Sequence, residues 1–377
     1  MLANTIKISS LLNDVIVLSQ RACSLIRRTH YTGNCQVFCK AAVVPGTTEA
    51  HKTSKGQDVD YRSVVTSADL ECQSLISQNL RALYPSAQLV GEEDEALESM
   101  EPNLNHFRPE LIRRVATNND FLASDKLQEL REQRHPGFLR YNQDLLNLSD
   151  KNELYENTDE FLNDEVNEED VCFWIDPLDG TGGFVNGHTE HVTCNIGISV
   201  KGKPLFGVIG KPFLEGGNIK MSATYVGGVS IGMHRILAQD ISLNGSDCPA
   251  SEQFKLVSKA QYLKPFDKGH GISTLPIICG AMNRNQGVMN NIIDSFKPRS
   301  VERVAGAGNK FLHLAQGKSD LYLNFVPGLK LWDTCAGDAL VKSRFGVFTN
   351  AFSEHLSYEK EGLHTPQDGL VACQNPL

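Results

Sequence analysis

Two carboxylates, a hydroxyl group and several backbone amides are crowded into the hexapeptide Asp176-Pro-Leu-Asp-Gly-Thr181. The apolar run Val171–Ile175 precedes it and is rich in β-branched and aromatic residues, which predicts a buried strand. Pro177 has no backbone donor and Gly180 tolerates unusual dihedral angles, so we expect the strand to end here in a tight turn. The neighbouring carboxylates repel each other unless a cation lies between them, and Mg²⁺ is a hard cation that takes oxygen ligands.

Polar groups also stand at the ends of other predicted elements. Thr66 and Asp69 have the spacing of a capping box, which alone would explain both residues structurally. The short strand Gln88–Val90 leads into consecutive acids, which are costly unless they are solvated or bind a cation. Asp333 is compatible with a simple helix N-cap. The four stretches concerned are Val65–Asp69, Gly91–Asp94, Gly306–Lys310 and Trp332–Ala336.

The composition limits the functions that this chain can have. Its 377 residues, 41% hydrophobic and 21% charged, suit one large or two medium globular domains with a real core. The formal net charge of −9 disfavours a nucleic-acid partner recognised through a basic face. An acidic enzyme can still bind a polyanionic small molecule if metal ions supply the positive charge.

The ten cysteines form no Cys-x-x-Cys pair and do not have the spacing of a zinc site. The sequence shows no secretory signal peptide and no apolar run long enough to cross a bilayer. We therefore expect reduced thiols, a cytoplasmic location and no membrane partner.

Periodicity divides the chain into two predicted parts, an α+β subdomain over residues 1–210 and an α/β subdomain over 211–377. An acidic insertion at about 95–170 interrupts the first part, and ten of the 21 residues from Asp150 to Asp170 are acidic. We predict two short helices in the insertion, at 108–117 and 124–134, and no catalytic role for it. The polar tract Thr47–Asp60 is predicted to be a loop.

Other elements follow from the hydrophobic pattern. The first predicted helix covers residues 6–27 with a cap at Ser9 or Ser10, and a second follows Asp69 and stops before Pro85. The predicted strands are Val192–Val200 and Leu205–Ile209, joined by the hairpin turn Lys201–Lys203, then Ile219–Val226 and Val229–Leu237, separated by Gly227 and Gly228, and then Pro276–Cys279, Val301–Val304 and Ser319–Val326. Two late helices are predicted, one ending at Gln316 and one running from Leu331 through Val341.

Taken in order, the five acid- and glycine-bearing stretches resemble the Mg²⁺-dependent, Li⁺-sensitive phosphatases of the inositol monophosphatase superfamily. Within it the chain is most similar to the 3'(2'),5'-bisphosphate nucleotidases, through Asp176–Thr181, Gly306–Lys310 and the segment Pro327–Ala336. The resemblance implies an α/β (α+β) fold with layered αβαβα sugar-phosphatase-like architecture. It places the site in a cleft between two subdomains.

The resemblance also implies a ligand set for two or three Mg²⁺ ions. Asp176 would bridge two ions, Glu92 and the carbonyl of Leu178 would complete one site, and Asp179 and Asp333 the other. Asp69 and the hydroxyl of Thr181 would orient and deprotonate the attacking water, with a third, weaker Mg²⁺.

Substrate contacts are implied for backbone N–H groups of Gly180 and Thr181, and for Gly306 and Lys310 in the glycine-rich loop. Arg284 is a further candidate, although residues 280–284 depart from the nucleotidase pattern. The implied reaction removes the 3'-phosphate of adenosine 3',5'-bisphosphate, with 3'-phosphoadenosine 5'-phosphosulfate as a second substrate. Two alternatives remain open at this stage: an inositol polyphosphate 1-phosphatase or dual-specificity enzyme, and an inactive metal-binding scaffold.

Overall fold

The computed structural model describes residues 4–39, 64–100, 158–214, 221–240, 254–256, 261–263, 275–281, 287–360, 364–366 and 368–374. The helices predicted at 108–117 and 124–134, the tract Thr47–Asp60 and the candidate Arg284 lie outside the described residues.

Helices and strands alternate along the described chain. The α-helices are α1 Ile8–Thr32, α2 Ser67–Leu83, α3 Asp94–Met100, α4 Thr158–Asn163, α5 Thr181–Val185, α6 Gly287–Ser295, α7 Ala307–Ala315 and α8 Leu331–Lys342. The strands are β1 Thr5–Lys7, β2 Val37–Cys39, β3 Val64–Thr66, β4 Gln88–Gly91, β5 Glu165–Asn167, β6 Val171–Asp179, β7 Thr193–Val200, β8 Lys203–Lys211, β9 Met221–Gly228, β10 Gly232–Asp240, β11 Phe254–Leu256, β12 Gln261–Leu263, β13 Ile277–Ala281, β14 Ser300–Val304, β15 Leu321–Asn324, β16 Val347–Thr349 and β17 Leu370–Cys373.

A large sheet has the strand order β11-β10-β9-β8-β7-β6-β4, and β12 also pairs with β10. Strand β4 runs parallel to β6, whereas β6 to β10 form an antiparallel meander. All eight residues of β7 are buried, because helices cover both faces of the sheet. This explains why the central strands appear in the sequence as continuous apolar runs.

The layers follow from the packing of the helices. Helices α1 and α2 pack on one face of the large sheet around residues such as Phe173 and Ile196. Helices α7 and α8 pack on the other face and also contact the second sheet, whose order is β14-β13-β15-β17-β16. Trp174 of the large sheet, Phe311 of α7 and Tyr322 of the second sheet share one core. The predicted layered α/β architecture is confirmed.

The first helix begins without the side-chain cap that the sequence suggested. Ser9 and Ser10 lie inside α1, and Lys7 at the N-cap makes no side-chain capping bond. The Ile8 N–H instead donates to the carbonyl of Asp164 at 3.0 Å, so a tertiary contact satisfies the helix end. The helix also continues to Thr32 and ends at Gly33, which has a left-handed φ of 68°.

The predicted strand ends within the hexapeptide, at the expected turn, but not directly after the apolar run Val171–Ile175. Strand β6 continues to Asp179, and Asp176 pairs with Asn195 whereas Asp179 pairs with Thr193. Three steps along β6 therefore match two steps along β7, which defines a β-bulge. The bulge lets Pro177, which has no backbone donor, pass through a central strand.

Gly227 and Gly228 do not form the turn between β9 and β10. Both glycines are paired in β9, with Met233 and Gly232 as partners, and the turn comes after them. A Cβ at Gly228 would lie 2.6 Å from the carbonyl oxygen of Leu205. These glycines therefore permit close packing rather than a reversal of the chain.

The predicted subdomain boundary after residue 210 falls inside β8, whose neighbours β7 and β9 belong to the same sheet. The two large sheets divide further along the chain, between β12 and β13. The division of the molecule into two subdomains stays a prediction.

Helix α8 lies unusually close to strand β8, which gives a test of the packing. A Cβ at Gly207 would lie 2.0 Å from the carbonyl oxygen of Ala336. We expect Gly207→Ala to lower the free energy of unfolding by about 1–3 kcal/mol, because α8 must move. Chemical denaturation measures this loss.

Gly287→Ala is the matched control, since nothing lies within 4 Å of a Cβ there. It should remain within about 0.5 kcal/mol of the parent chain. Equal stability of the two variants would contradict the packing described for α8.

Candidate metal centre

The bulge in β6 brings the two aspartates of the hexapeptide to one side of the sheet. Residues three apart on a regular strand point to opposite faces. Asp176 and Asp179 are instead opposite Asn195 and Thr193, which are two apart on β7 and share a face. The extra residue in β6 therefore places Asp179 on the same face of the sheet as Asp176, and both carboxylates point toward the same space.

Three carboxylates from distant parts of the chain meet beside this strand. One oxygen each of Glu92, Asp176 and Asp333 lies within 4.8 Å of the others. Glu92 directly follows β4, and its N–H donates to the carbonyl of Ile175 at 2.9 Å. Asp333 stands in the first turn of α8 and accepts the Lys330 N–H at 2.6 Å. The parallel pairing of β4 with β6 and the packing of α8 thus assemble the group.

Asp179 lies outside this three-carboxylate group and is held by donors from two elements. Its Oδ2 accepts the Gly308 N–H at 2.6 Å, the Thr193 hydroxyl at 3.3 Å and the Asn195 amide at 3.5 Å. Gly306 has a left-handed φ of 76°, and a Cβ there would lie 3.0 Å from Asp179 Oδ2. A glycine at this position lets the loop before α7 approach the carboxylate.

Asp69 is both a helix-capping residue and a partner of the hexapeptide. Its Oδ2 accepts the N–H of Thr66 at 2.8 Å and also the Thr66 hydroxyl, so the predicted capping box is present. Its Oδ1 accepts the hydroxyl of Thr181 at 2.9 Å. That hydroxyl also lies 3.1 Å from the carbonyl oxygen of Leu178. The structural and the functional interpretations of Asp69 are therefore compatible.

Burial and mutual repulsion make these carboxylates hard to ionise. Burial raises the pKa of Asp176 well above its usual range, and the nearby Glu92 and Asp179 raise it further. Burial and Glu92 act in the same direction on the pKa of Asp333. The pKa of Asp69 is raised to about 6, mainly by burial, although its hydrogen bonds to Thr66 oppose the shift.

A divalent cation fits this arrangement. The Oδ1 of Asp176 is buried and has no hydrogen-bond partner among the described residues, and such an atom is costly without a ligand. The surrounding donors are carboxylate oxygens, which a hard cation such as Mg²⁺ prefers. A bound cation would also offset the repulsion that raises the pKa values. Glu92, Asp176 and Asp333 are the residues that would hold it.

Lys310 lies under the glycine-rich loop and is not an ordinary solvated lysine. The residue is 7% exposed, and its ammonium donates to the carbonyl of Gly306 at 3.0 Å. Burial raises the pKa values of Asp179 and Asp333, and the charge of Lys310 opposes that rise at both carboxylates. The side chain also lies over the ring of Tyr322. Lys310 therefore supplies fixed positive charge at the edge of the acid cluster.

The structure brings together most of the residues that the sequence singled out. Gly180 adopts a left-handed φ of 92° directly before α5, which begins at Thr181. The remaining acids, the Leu178 carbonyl, Gly306 and Lys310 lie around the same strand end. The individual roles assigned to these residues stay predictions.

Three contributors were not predicted from the sequence: Thr193, Asn195 and the backbone N–H of Gly308. All three contact Asp179, and Asn195 also lies 3.2 Å from Asp176 Oδ2. Thr193 and Asn195 are polar residues at alternate positions of a largely apolar strand, in which Ser199 is the other polar residue. That alternation was the available signal, because it marks one face of β7.

With this geometry in place, comparison with known proteins identifies the class. The chain belongs to the inositol monophosphatase family, whose model matches residues 34–374. An inositol monophosphatase from Anabaena aligns over 97% of this chain and 90% of its own, with a TM-score of 0.51 at 14% identity. An inositol monophosphatase from Thermotoga maritima aligns over 96% and 91%, with a TM-score of 0.51 at 13% identity. At these identities the likeness shows the fold.

Curated relatives give more particular names. A mouse 3'(2'),5'-bisphosphate nucleotidase 1 is 28% identical over 211 residues, which are 55% of this chain and 59% of the relative. The human protein of that name is 30% identical over 55% of this chain and 58% of its own length. A Dictyostelium discoideum protein of the same name is 25% identical over 96% of this chain and 91% of its own. The match therefore spans just under three fifths of the two mammalian relatives.

The repulsion within the acid cluster should destabilise the metal-free protein, while the same carboxylates are needed to bind the cation. Asp176→Asn keeps the shape of the side chain but removes one of the repelling charges. We expect the metal-free variant to melt no lower than the parent chain and to lose the stabilisation by Mg²⁺. That stabilisation is about 2.7 kcal/mol when Mg²⁺ is at about 100 times its Kd. Thermal unfolding across a Mg²⁺ series, starting from protein treated with a chelator, measures both quantities.

Asp294→Asn, an exposed change in α6, is the control and should respond to Mg²⁺ as the parent chain does. An unchanged Mg²⁺ response in Asp176→Asn would show that the cation binds elsewhere.

Proposed function

We propose that this protein is a Mg²⁺-dependent phosphomonoesterase that removes the 3'-phosphate of adenosine 3',5'-bisphosphate. On this proposal, 3'-phosphoadenosine 5'-phosphosulfate is a second substrate. The observation that carries it is the convergence of Glu92, Asp176 and Asp333 within 4.8 Å, beside the Asp69–Thr181 pair. The names of the nucleotidase relatives support the choice of substrate.

Hydrolysis of a phosphomonoester by this site requires a cation and a base at one strand end. When bound, Mg²⁺ would act as a Lewis acid that neutralises phosphoryl charge and lowers the pKa of water. Glu92, Asp176 and Asp333 would hold one ion, while Asp179 and the Leu178 carbonyl extend the oxygen ligands around the strand. The number of ions, two or three, belongs to this proposal.

Asp69 is the residue that we assign to receive the proton of the attacking water. Its Oδ2 is engaged by Thr66, so Oδ1 is left to the Thr181 hydroxyl at 2.9 Å. The hydroxyl can accept a proton from water while it donates its own to Asp69. In-line attack by that water would form a new P–O bond and break the bond between phosphorus and the ribose 3'-oxygen, which would leave as the 3'-hydroxyl after taking up a proton from solvent.

Contacts to the substrate come from the loops around the cluster. The backbone N–H groups of Gly180 and Thr181 would bind the phosphate that is cleaved. Gly306 lets the loop approach closely, and Lys310 would pair with the phosphate that is retained. Arg284 is assigned to the substrate on the sequence alone.

Inositol polyphosphate hydrolysis is the second candidate, because the family and the structures with this fold are named for inositol monophosphate. An inactive scaffold is a third, and the intact acid set argues against it. A phosphate-release assay with adenosine 3',5'-bisphosphate and inositol 1,4-bisphosphate at equal concentrations separates the three. We expect the nucleotide to be hydrolysed with the higher kcat/KM, and Asp176→Asn to lose several orders of magnitude on both.

The same assay tests the cation. Li⁺ should inhibit, as the family resemblance implies, and Ca²⁺ should not support turnover, because it does not impose the tight octahedral geometry of Mg²⁺. Full activity in Ca²⁺ would contradict the metal assignment. Preference for the inositol phosphate would replace the first substrate by the second. No phosphate release despite Mg²⁺ binding would favour the scaffold.

The cytoplasmic location is also part of this proposal. Among the described residues no helix is long and apolar enough to cross a membrane. One relative, 27% identical over 78% of each chain, is named a Golgi-resident adenosine 3',5'-bisphosphate 3'-phosphatase from rat. Imaging of the tagged protein decides between the two compartments.

Lys310 gives a test of how the second phosphate is bound. Lys310→Met removes the charge but keeps an apolar side chain over Tyr322. We expect KM for the bisphosphate to rise about ten- to a hundredfold, the effect of losing one charge-assisted contact of roughly 1.5–3 kcal/mol. Hydrolysis of adenosine 3'-monophosphate should change little, because it lacks the retained phosphate. Steady-state kinetics on both substrates measure the difference.

Lys318→Met, an exposed lysine in the turn after α7, is the control and should leave both substrates unaffected. Equal damage to both substrates in Lys310→Met would assign the lysine to Asp179 and Asp333 instead.

A further inference from the structure

We propose that Asn195 is a positioning residue that orients Asp176 and Asp179 for the cation, an inference that rests on the proposed function. Asn195 is fully buried in the middle of the large sheet. Its amide nitrogen lies 3.2 Å from Asp176 Oδ2 and 3.5 Å from Asp179 Oδ2. A single side chain therefore contacts both aspartates of the hexapeptide.

The sheet register explains how one amide reaches two carboxylates. Asn195 is directly opposite Asp176, and cross-strand partners lie close enough for their side chains to meet. The bulge in β6 returns Asp179 to the same face, opposite Thr193. Asn195 thus sits below the pair, and its N–H groups face the two Oδ2 atoms.

The charge of the two carboxylates sets the orientation of the amide, because Asn195 Oδ1 itself has no hydrogen-bond partner among the described residues. A Cβ at Gly308 would lie 2.3 Å from Asn195 Oδ1, so this oxygen faces the backbone of the glycine-rich turn. A flipped amide would turn that oxygen toward two carboxylates and be repelled. The negative charge of the cluster therefore holds the nitrogen on the carboxylate side.

The consequence for the cation concerns the free oxygen of Asp176. Its Oδ2 is engaged by Asn195, while its Oδ1 has no hydrogen-bond partner among the described residues. The amide thereby selects which oxygen is offered as a ligand. Hydrogen bonds of this kind typically account for 10- to 100-fold in metal affinity or activity.

Three variants test the proposal. Asn195→Leu keeps a similar volume without a donor, Asn195→Ala removes the side chain, and Asn195→Ser restores one short donor. We expect the Mg²⁺ concentration for half-maximal thermal stabilisation to rise about 10- to 100-fold in Asn195→Leu and Asn195→Ala. Asn195→Ser should fall between these variants and the parent chain. The Mg²⁺ dependence of phosphate release should move by the same factor, with a smaller change in kcat at saturating Mg²⁺.

Asn79→Leu is the matched control, since Asn79 is buried in α2 and donates to the Leu75 carbonyl away from the acids. It should leave the Mg²⁺ midpoint unchanged. A folded Asn195→Leu with the parent midpoint would overturn the proposal. So would failure of all three variants to fold, because Asn195 would then serve the fold.

Thermal stabilisation by Mg²⁺ needs no substrate. If the phosphatase proposal is wrong, the parent chain will show no turnover. If the Asn195 proposal is wrong, the Asn195 variants will keep the parent's Mg²⁺ concentration for half-maximal thermal stabilisation.

Discussion

Repulsion among buried carboxylates is the constraint on which this structure depends. Asp69, Glu92, Asp176, Asp179 and Asp333 come from four places in the sequence and lie together at the end of one strand. Burial and the charges of neighbouring carboxylates raise the pKa values of the four aspartates. A core built only for stability would not place them together. The surrounding fold supplies the groups that offset the repulsion among these carboxylates and hold them in place for a cation.

Helix ends supply much of the compensation. Asp69 and Asp333 each lie in the first turn of a helix, α2 and α8, and the Gly308 N–H at the start of α7 donates to Asp179. The positive ends of these three helices thus face the acids from both faces of the large sheet. Lys310 adds one full charge from the side of the second sheet. A divalent cation would neutralise the negative charge that these groups leave uncompensated. This excess of negative charge is the physical reason to expect the family's metal-dependent chemistry at this site.

Close packing between the layers brings Asp333 and Glu92 to the acid cluster. Asp333 reaches the cluster because α8 lies against β7 and β8, where a Cβ at Gly197 would be 2.5 Å from Cys335 Cβ. Glu92 reaches it because β4 pairs in parallel with β6 and delivers its carboxyl end to the same edge. The acids thus depend on backbone separations between layers as much as on their own identities. Changes in the packing of α8, even far from the acids, should therefore shift the position of Asp333.

The sequence by itself determined the elements and the list of acids. Apolar runs identified the central strands, the capping spacing identified the start of α2, and the order of five short stretches identified the family. These features are local, because strand and helix periodicity and capping depend on residues a few positions apart.

Only the tertiary structure decided how the acids face one another. The continuation of β6 through Pro177 and the contacts of Thr193 and Asn195 with the aspartates depend on the register between β6 and β7. The burial of Lys310 depends on the approach of the loop before α7. A register shift of one residue is invisible in the periodicity of either strand, yet it decides on which face Asp179 lies. That is a property of paired strands and packed layers, and no single stretch of the chain contains it.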